Sequence, residues 1–206
     1  QLSRGLGDVY KRQVIKYLDK LSLEVESTDS VNTIYKSGKD IVGHNTDVAG
    51  FELGLRHSKI NVLHKSILIL GAGGVVPSII YSLLSMGCKK IYLSNRTISK
   101  AEDIKNKFNE IEILKWGKIP DFDIVINATS VGLKGDSLDI EFNVKDKVFY
   151  DVIYNPKETH FLKKAKENGN KIENGKYMFI YQANQSFSIW NNVIPKIDKD
   201  VLKILE

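Results

Sequence analysis

Ser66-Ile67-Leu68-Ile69-Leu70-Gly71-Ala72-Gly73-Gly74-Val75-Val76 is the stretch whose reading decides the fold. The aliphatic run from Ser66 to Leu70 predicts a strand buried on both faces, as in a parallel sheet. Glycines follow at once, and Val75 to Met86 takes helical spacing. A strand, a glycine turn and a helix in that order make a nucleotide-phosphate turn. Gly71 allows the tight bend, Gly73 lets backbone amides approach a pyrophosphate, and the helix N-terminus adds partial positive charge. Ala72 and Gly74 complete the turn. The third fingerprint position holds Val76 instead of glycine, which predicts slightly wider helix–strand spacing.

Downstream the alternation continues. Lys90 to Ser94 reads as a strand, Ser99 to Phe108 as a helix, and Asp123 to Asn127 and Lys147 to Val152 as strands. His160 to Asn168 reads as a helix stopped by Gly169, and Lys171 to Glu173 as a short strand. This predicts an α/β fold, a Rossmann-type doubly wound parallel sheet with right-handed crossovers.

Upstream the pattern differs. Val14, Ile15, Leu18 and Leu21 have helical spacing. Ser30 to Ile34 and Asp40 to Gly43 form an expected hairpin around Ser37-Gly38. A helix runs from Asp47 to near His57, with Thr46 as its expected cap. Tyr181 to Glu206 reads as helical, interrupted at Pro195. The expected organisation is a partial α/β substrate-binding lobe over 14–58, a dinucleotide-binding domain over 59–180, and C-terminal helices over 181–206 that pack back on the substrate lobe. Residues 1–13 fit neither pattern.

Hydrophobic residues at 42% with 27% charged place the 206-residue chain among ordinary globular proteins and not disordered ones. No apolar run reaches the length of a membrane span. The net charge of +5 comes from lysines spread along helices and loops, without a basic block interleaved with aromatics, so no nucleic-acid partner is expected. That excess suits anionic small molecules. The single cysteine, Cys88, cannot form an internal disulfide, which agrees with a reducing cytoplasm, the expected location. His44, His57, His64 and His160 are scattered, read as surface or loop residues, and no metal site is expected.

The second strand ends in Ser94-Asn95-Arg96-Thr97. An NAD site places an acid there for the ribose hydroxyl, whereas an arginine accommodates the extra phosphate of NADP. No acid is present and Arg96 is, so NADP is the expected cofactor. Asn127-Ala128-Thr129-Ser130 leaves another strand at the same sheet edge, where it should touch ribose or nicotinamide.

Further motifs stand in order along the chain. They are Gly43-His44-Asn45-Thr46-Asp47 with Gly50-Phe51, Asn127 to Gly132, Tyr154-Asn155-Pro156, Gly175-Lys176-Tyr177-Met178 and Tyr181-Gln182-Ala183. Together with the glycine turn and Asn95-Arg96-Thr97, they resemble the shikimate dehydrogenases over roughly residues 14 to 206. The resemblance implies that Asn95, Arg96 and Thr97 contact the adenosine phosphate. Asn127, Thr129, Ser130, Ile153 and Gly175 complete the expected cofactor set. Pattern alone favours a helix-start cap for Asp47. The resemblance instead makes it a substrate-bonded aspartate paired with a catalytic lysine. Asn32, Gln182 and Tyr154 match further substrate-binding positions. Lys11, eight residues before Asp19 and twenty-one before Asn32, stands in register for the lysine. Leu6 to Tyr10 lacks the threonine and proline that precede that lysine in the family, so a coincidental match in a foreign leader on a truncated front half is the alternative.

The implied reaction is reversible, NADP-dependent reduction of 3-dehydroshikimate to shikimate, in aromatic amino acid biosynthesis, with the lysine as general acid. The resemblance admits a homodimer and no membrane partner. Two rivals stand beside it: an NAD-preferring quinate dehydrogenase of the same fold, and a non-catalytic dinucleotide-binding module.

Overall fold

The computed structural model describes residues 11–203, so the expectations for Leu6 to Tyr10 and for the last three residues lie outside it. The described chain builds two sheets. The smaller has the order β1 (Lys20–Leu21), β3 (Asp40–His44), β2 (Thr33–Ser37). The hairpin β2–β3 is antiparallel with Ser37 opposite Asp40, and Gly38 takes the left-handed turn position at φ 62°.

The larger sheet has six parallel strands. They are β4 (Ser66–Leu70), β5 (Lys90–Ser94), β6 (Glu112–Leu114), β7 (Ile124–Asn127), β8 (Val148–Asp151) and β9 (Lys171–Asn174), in the spatial order β6-β5-β4-β7-β8-β9. The order reverses at β4, the doubly wound arrangement expected from the alternation. Strand β4 explains the two-sided core. Ile67 and Ile69 join the cluster with Phe51, Ile79 and Leu83, while Leu68 and Leu70 join the opposite cluster with Phe122, Phe149 and Phe161. All four are at most 1% exposed, and each contributes about 1.5–3 kcal/mol of burial.

The helices are α1 (Leu23–Thr28), α2 (Thr46–His57), α3 (Val76–Ser85), α4 (Ile98–Lys105), α5 (His160–Glu167), α6 (Lys176–Asn191) and α7 (Lys199–Lys203). Helices α2 and α6 lie against each other along glycines of α2. A Cβ on Gly54 would stand 3.0 Å from the Met178 backbone nitrogen.

Three local readings are corrected. The expected helix over Val14–Leu21 is a 3₁₀ turn, Val14–Tyr17, followed by strand β1. Leu18 and Leu21 of this stretch lie against the small sheet: Leu21 pairs with Gly43, and a Cβ on Gly43 would stand 2.5 Å from the Leu18 side chain. Helix α1 and strand β6 were not anticipated, and the C-terminal helix opens at Lys176 instead of Tyr181. Asn45, not Thr46, caps α2, accepting a hydrogen bond from the Asp47 backbone N–H at 3.0 Å.

Candidate active site

Strands β5, β4, β7 and β8 end side by side, since Leu70 aligns with Ser94 and Asn127, and Asn127 with Asp151. The loops that follow them therefore emerge along one edge of the sheet. Gly71 leaves β4 with φ 105°, and its N–H donates to the Ser94 carbonyl at 2.8 Å. A Cβ there would stand 2.8 Å from the Ala128 carbonyl oxygen, so only glycine lets the β4 and β7 loops meet. No side chain caps the start of α3, and Pro77 in its first turn has no N–H to satisfy. Val76, at the third fingerprint position, is wholly buried in the core layer.

Asn127 is an internal brace. It is 0% exposed, donates its amide to Val131 O at 3.2 Å and Asp151 Oδ1 at 3.1 Å, and accepts from Thr129 N–H and Oγ1. Its polar atoms shape the loop, and Ser130 stands exposed at the tip. Asp151 Oδ1 also accepts the Ile153 N–H at 3.0 Å, and the Ile153 carbonyl accepts from Gly175 N–H. Gly175 approaches β8 so closely that a Cβ would collide with the Val152 carbonyl. Arg96 is exposed beside half-buried Asn95, whose amide donates to Thr97 O at 2.7 Å.

A second polar group gathers around the first turn of α2. Lys11 Nζ donates to Asp47 Oδ2 at 2.8 Å, and Asn32 Nδ2 donates to Asp47 Oδ1 at 3.0 Å. The Asp47 side chain is 11% exposed and Lys11 27%, so the ion pair is shielded yet reachable. The Lys11 carbonyl accepts from Val31 N–H at 3.2 Å, which ties its backbone to the segment carrying Asn32. Asn32 Oδ1 accepts from Thr46 N–H and Thr46 Oγ1. Thr46 Oγ1 also reaches Gln182 Oε1 at 3.5 Å, the outer limit of a hydrogen bond. Lys11, Asn32, Asp47 and Gln182, separated by up to 171 positions in the chain (182 − 11), thus form one connected set. Tyr154 stands apart from it, its ring stacked on Phe179 at 4.6 Å.

Sequence reasoning missed two parts of this site. Ser186 bonds both Thr33 Oγ1 at 2.8 Å and Thr46 Oγ1 at 3.0 Å; its spacing of four from Gln182 on one helix was the available signal. Asn45 stands in the motif with no role legible from sequence alone. Its amide donates to Thr28 Oγ1 and to Ser78 Oγ, both at 2.9 Å, and so joins α1 to the helix that follows the glycine turn. His44 is not a loop residue: it lies on β3, half-buried, 3.7 Å from Glu24.

Comparison with known proteins agrees with this geometry. Residues 54–133 match the family model for shikimate / quinate 5-dehydrogenase. A shikimate dehydrogenase (NADP(+)) of Pelagibacter ubique is 53% identical over 200 residues, covering 96% of this chain and 76% of the relative. This chain belongs to the shikimate dehydrogenase family. Among solved members, the shikimate 5-dehydrogenase of Listeria monocytogenes, in complex with shikimate and NAD, superposes with a TM-score of 0.86 at 29% identity, over 95% of this chain and 74% of that one. A shikimate dehydrogenase in complex with NADP+ gives 0.81 at 35% identity, over 95% and 72%. The six-stranded sheet is the family's Rossmann-type sheet, and the chain spans about three quarters of the length of these relatives.

Proposed function

We propose that this chain catalyses the reversible, NADP-dependent reduction of 3-dehydroshikimate to shikimate. The observation that carries this reading is the Lys11 ammonium 2.8 Å from Asp47, with the second carboxylate oxygen held by Asn32. Such a lysine is a positioned proton donor for a ring ketone oxygen, and in reverse its neutral form takes the proton from the hydroxyl. Asp47 aims it and stabilises its charge, while Asn32 and Gln182 offer amides to the ring hydroxyls. Tyr154, stacked on Phe179 away from these groups, is the fourth substrate position that the family resemblance implies.

The residues fit an NADP cofactor. The turn at Gly71 to Gly74 has no room for a Cβ at its first glycine, the start of α3 is uncapped by side chains, and Arg96 closes β5 without a neighbouring acid. Gly73, Gly74 and the first turn of α3 would hold the pyrophosphate, and Asn95, Arg96 and Thr97 the 2′-phosphate. Thr129 and Ser130 would meet the ribose or nicotinamide. The chemistry the bound dinucleotide supplies is hydride exchange with the ring carbon. The same arginine, with no acid beside it, disfavours the NAD-preferring quinate reading.

Replacing Arg96 with Ala should weaken NADPH binding by roughly 1.5–3 kcal/mol, the value of a charge-assisted contact, and leave NADH binding nearly unchanged. Equal losses in a calorimetric titration of the two cofactors would refute the NADP assignment. Consumption of NADPH on adding 3-dehydroshikimate distinguishes an enzyme from a binding module.

A further inference from the structure

Strand β6 ends beside β5, with Leu114 aligned to Ser94, so Lys115 and Trp116 emerge next to Asn95 and Arg96. The Arg96 guanidinium lies over the Trp116 ring at 5.7 Å from its centroid. Two contacts fix that indole: its N–H donates to Asp139 Oδ1 at 2.9 Å, and its ring packs on the core cluster of Leu68, Leu70 and Leu114. The backbone just before it is held by the Ser94 hydroxyl, which reaches the Lys115 carbonyl at 3.4 Å. Asp139 in turn sits between Leu138 and Ile140, both tucked against the same cluster. An exposed arginine is thereby seated on a plane that the fold holds still.

We propose that Trp116 is the positioning residue for Arg96 and that Asp139 orients Trp116, so that this pair sets discrimination for a 2′-phosphorylated adenosine. A guanidinium free to sample its rotamers must be ordered when it meets a phosphate, and stacking supplies that order beforehand. Lys115 adds a cation on the same rim. The inference rests on the NADP reading above, and its test separates the two.

Calorimetric titration of 2′,5′-ADP and of 5′-AMP into the 206-residue chain and its variants reads the preference directly. The unaltered chain should favour 2′,5′-ADP. Trp116→Leu should lower that preference about three- to fivefold by weakening 2′,5′-ADP alone, the scale of an exposed cation–π contact. Trp116→Phe, which keeps a ring, should retain most of it, and Asp139→Ala should lose part. An unaltered chain that does not distinguish the two nucleotides overturns both readings. A chain that does, while Trp116→Leu and Asp139→Ala keep its full preference, overturns the role of Trp116 alone. Should Trp116→Leu lose both nucleotides through damage to the fold, Asp139→Ala decides: a reduced ratio supports the role and an unchanged ratio overturns it.

Discussion

Gly50 of α2 sits so close to Gln182 of α6 that a Cβ on the glycine would stand 2.6 Å from the Gln182 Cβ and 2.9 Å from its backbone nitrogen. The backbone cannot yield as a side-chain tip would. Gly50→Ala should therefore push α6 outward, costing about 1–3 kcal/mol of stability by overpacking. Gln182 and Ser186 move with α6, so turnover should fall further than NADPH affinity. Urea unfolding together with steady-state kinetics checks this, and an alanine variant of parental stability and activity would contradict the packing.

Asp47 and Lys11 should behave as a unit. Asp47→Asn keeps a hydrogen-bond acceptor for the ammonium but removes the charge. We expect kcat to drop by on the order of 10²–10⁴, the usual weight of acid–base catalysis, and Lys11→Met to drop it comparably. The double variant should lose little beyond either single one, because both changes disable one device. NADPH affinity, measured by fluorescence titration, should stay within about twofold, since α3 and Arg96 are untouched. Multiplicative losses would show that the two side chains act separately.

Asp123 links stability to pH. Its carboxylate accepts the Ser66 backbone N–H at 2.9 Å and faces Lys65 at 3.5 Å, which holds its pKa below the usual aspartate value, the backbone hydrogen bond first. A depressed folded-state pKa means the contribution is complete above the unfolded value of about 3.9 and is lost as pH falls through the folded value. The group is 40% exposed, so the gain is modest. Asp123→Ala should lose roughly 0.5–1 kcal/mol at pH 7, and the deficit should shrink steadily in acid below about pH 4. Denaturant melts at neutral and acidic pH test it; a deficit that grows in acid would reverse the sign.

Tyr150 presents a different balance. The ring is 0% exposed and meets Phe51 edge to face at 5.4 Å, while its hydroxyl has no partner among the described residues. Burial, reinforced by the Glu173 and Asp151 charges, pushes the phenol pKa well above its ordinary value. Tyr150→Phe keeps the packing and removes the unsatisfied group, so stability should hold or rise by about 1 kcal/mol. The raised pKa means that the parent begins to lose stability as pH climbs past about 10, where the unfolded phenol ionises, and the phenylalanine variant should be spared that loss. Thermal melts at pH 7 and above pH 10 give both numbers.

Strands β4 and β5 were legible to the residue because aliphatic runs there end in a glycine turn and a polar cluster, signals that need no distant partner. The opposite holds for β1. Val14 to Leu21 has helical spacing, yet Leu18 and Leu21 are claimed by Gly43 and the small sheet, and strand pairing overrides local preference. Three-residue β6 is too short for any periodicity to declare it. The ligand-side residues were named from a resemblance, but what each does locally was not visible. Asn127 turned out to brace its own loop, and the neighbours of Asn45 and Trp116 lie 17 to 33 positions away.

Asn45 has one further consequence. Its single side chain, 1% exposed, is bonded to Thr28, to Ser78 and to the Asp47 backbone. Thr28 ends α1 and Ser78 lies in the first turn of the helix after the glycine turn, so one buried amide couples the segment in front of the small sheet to the nucleotide-turn helix, and a shift of either segment away from the other has to break a bond that no water is at hand to replace.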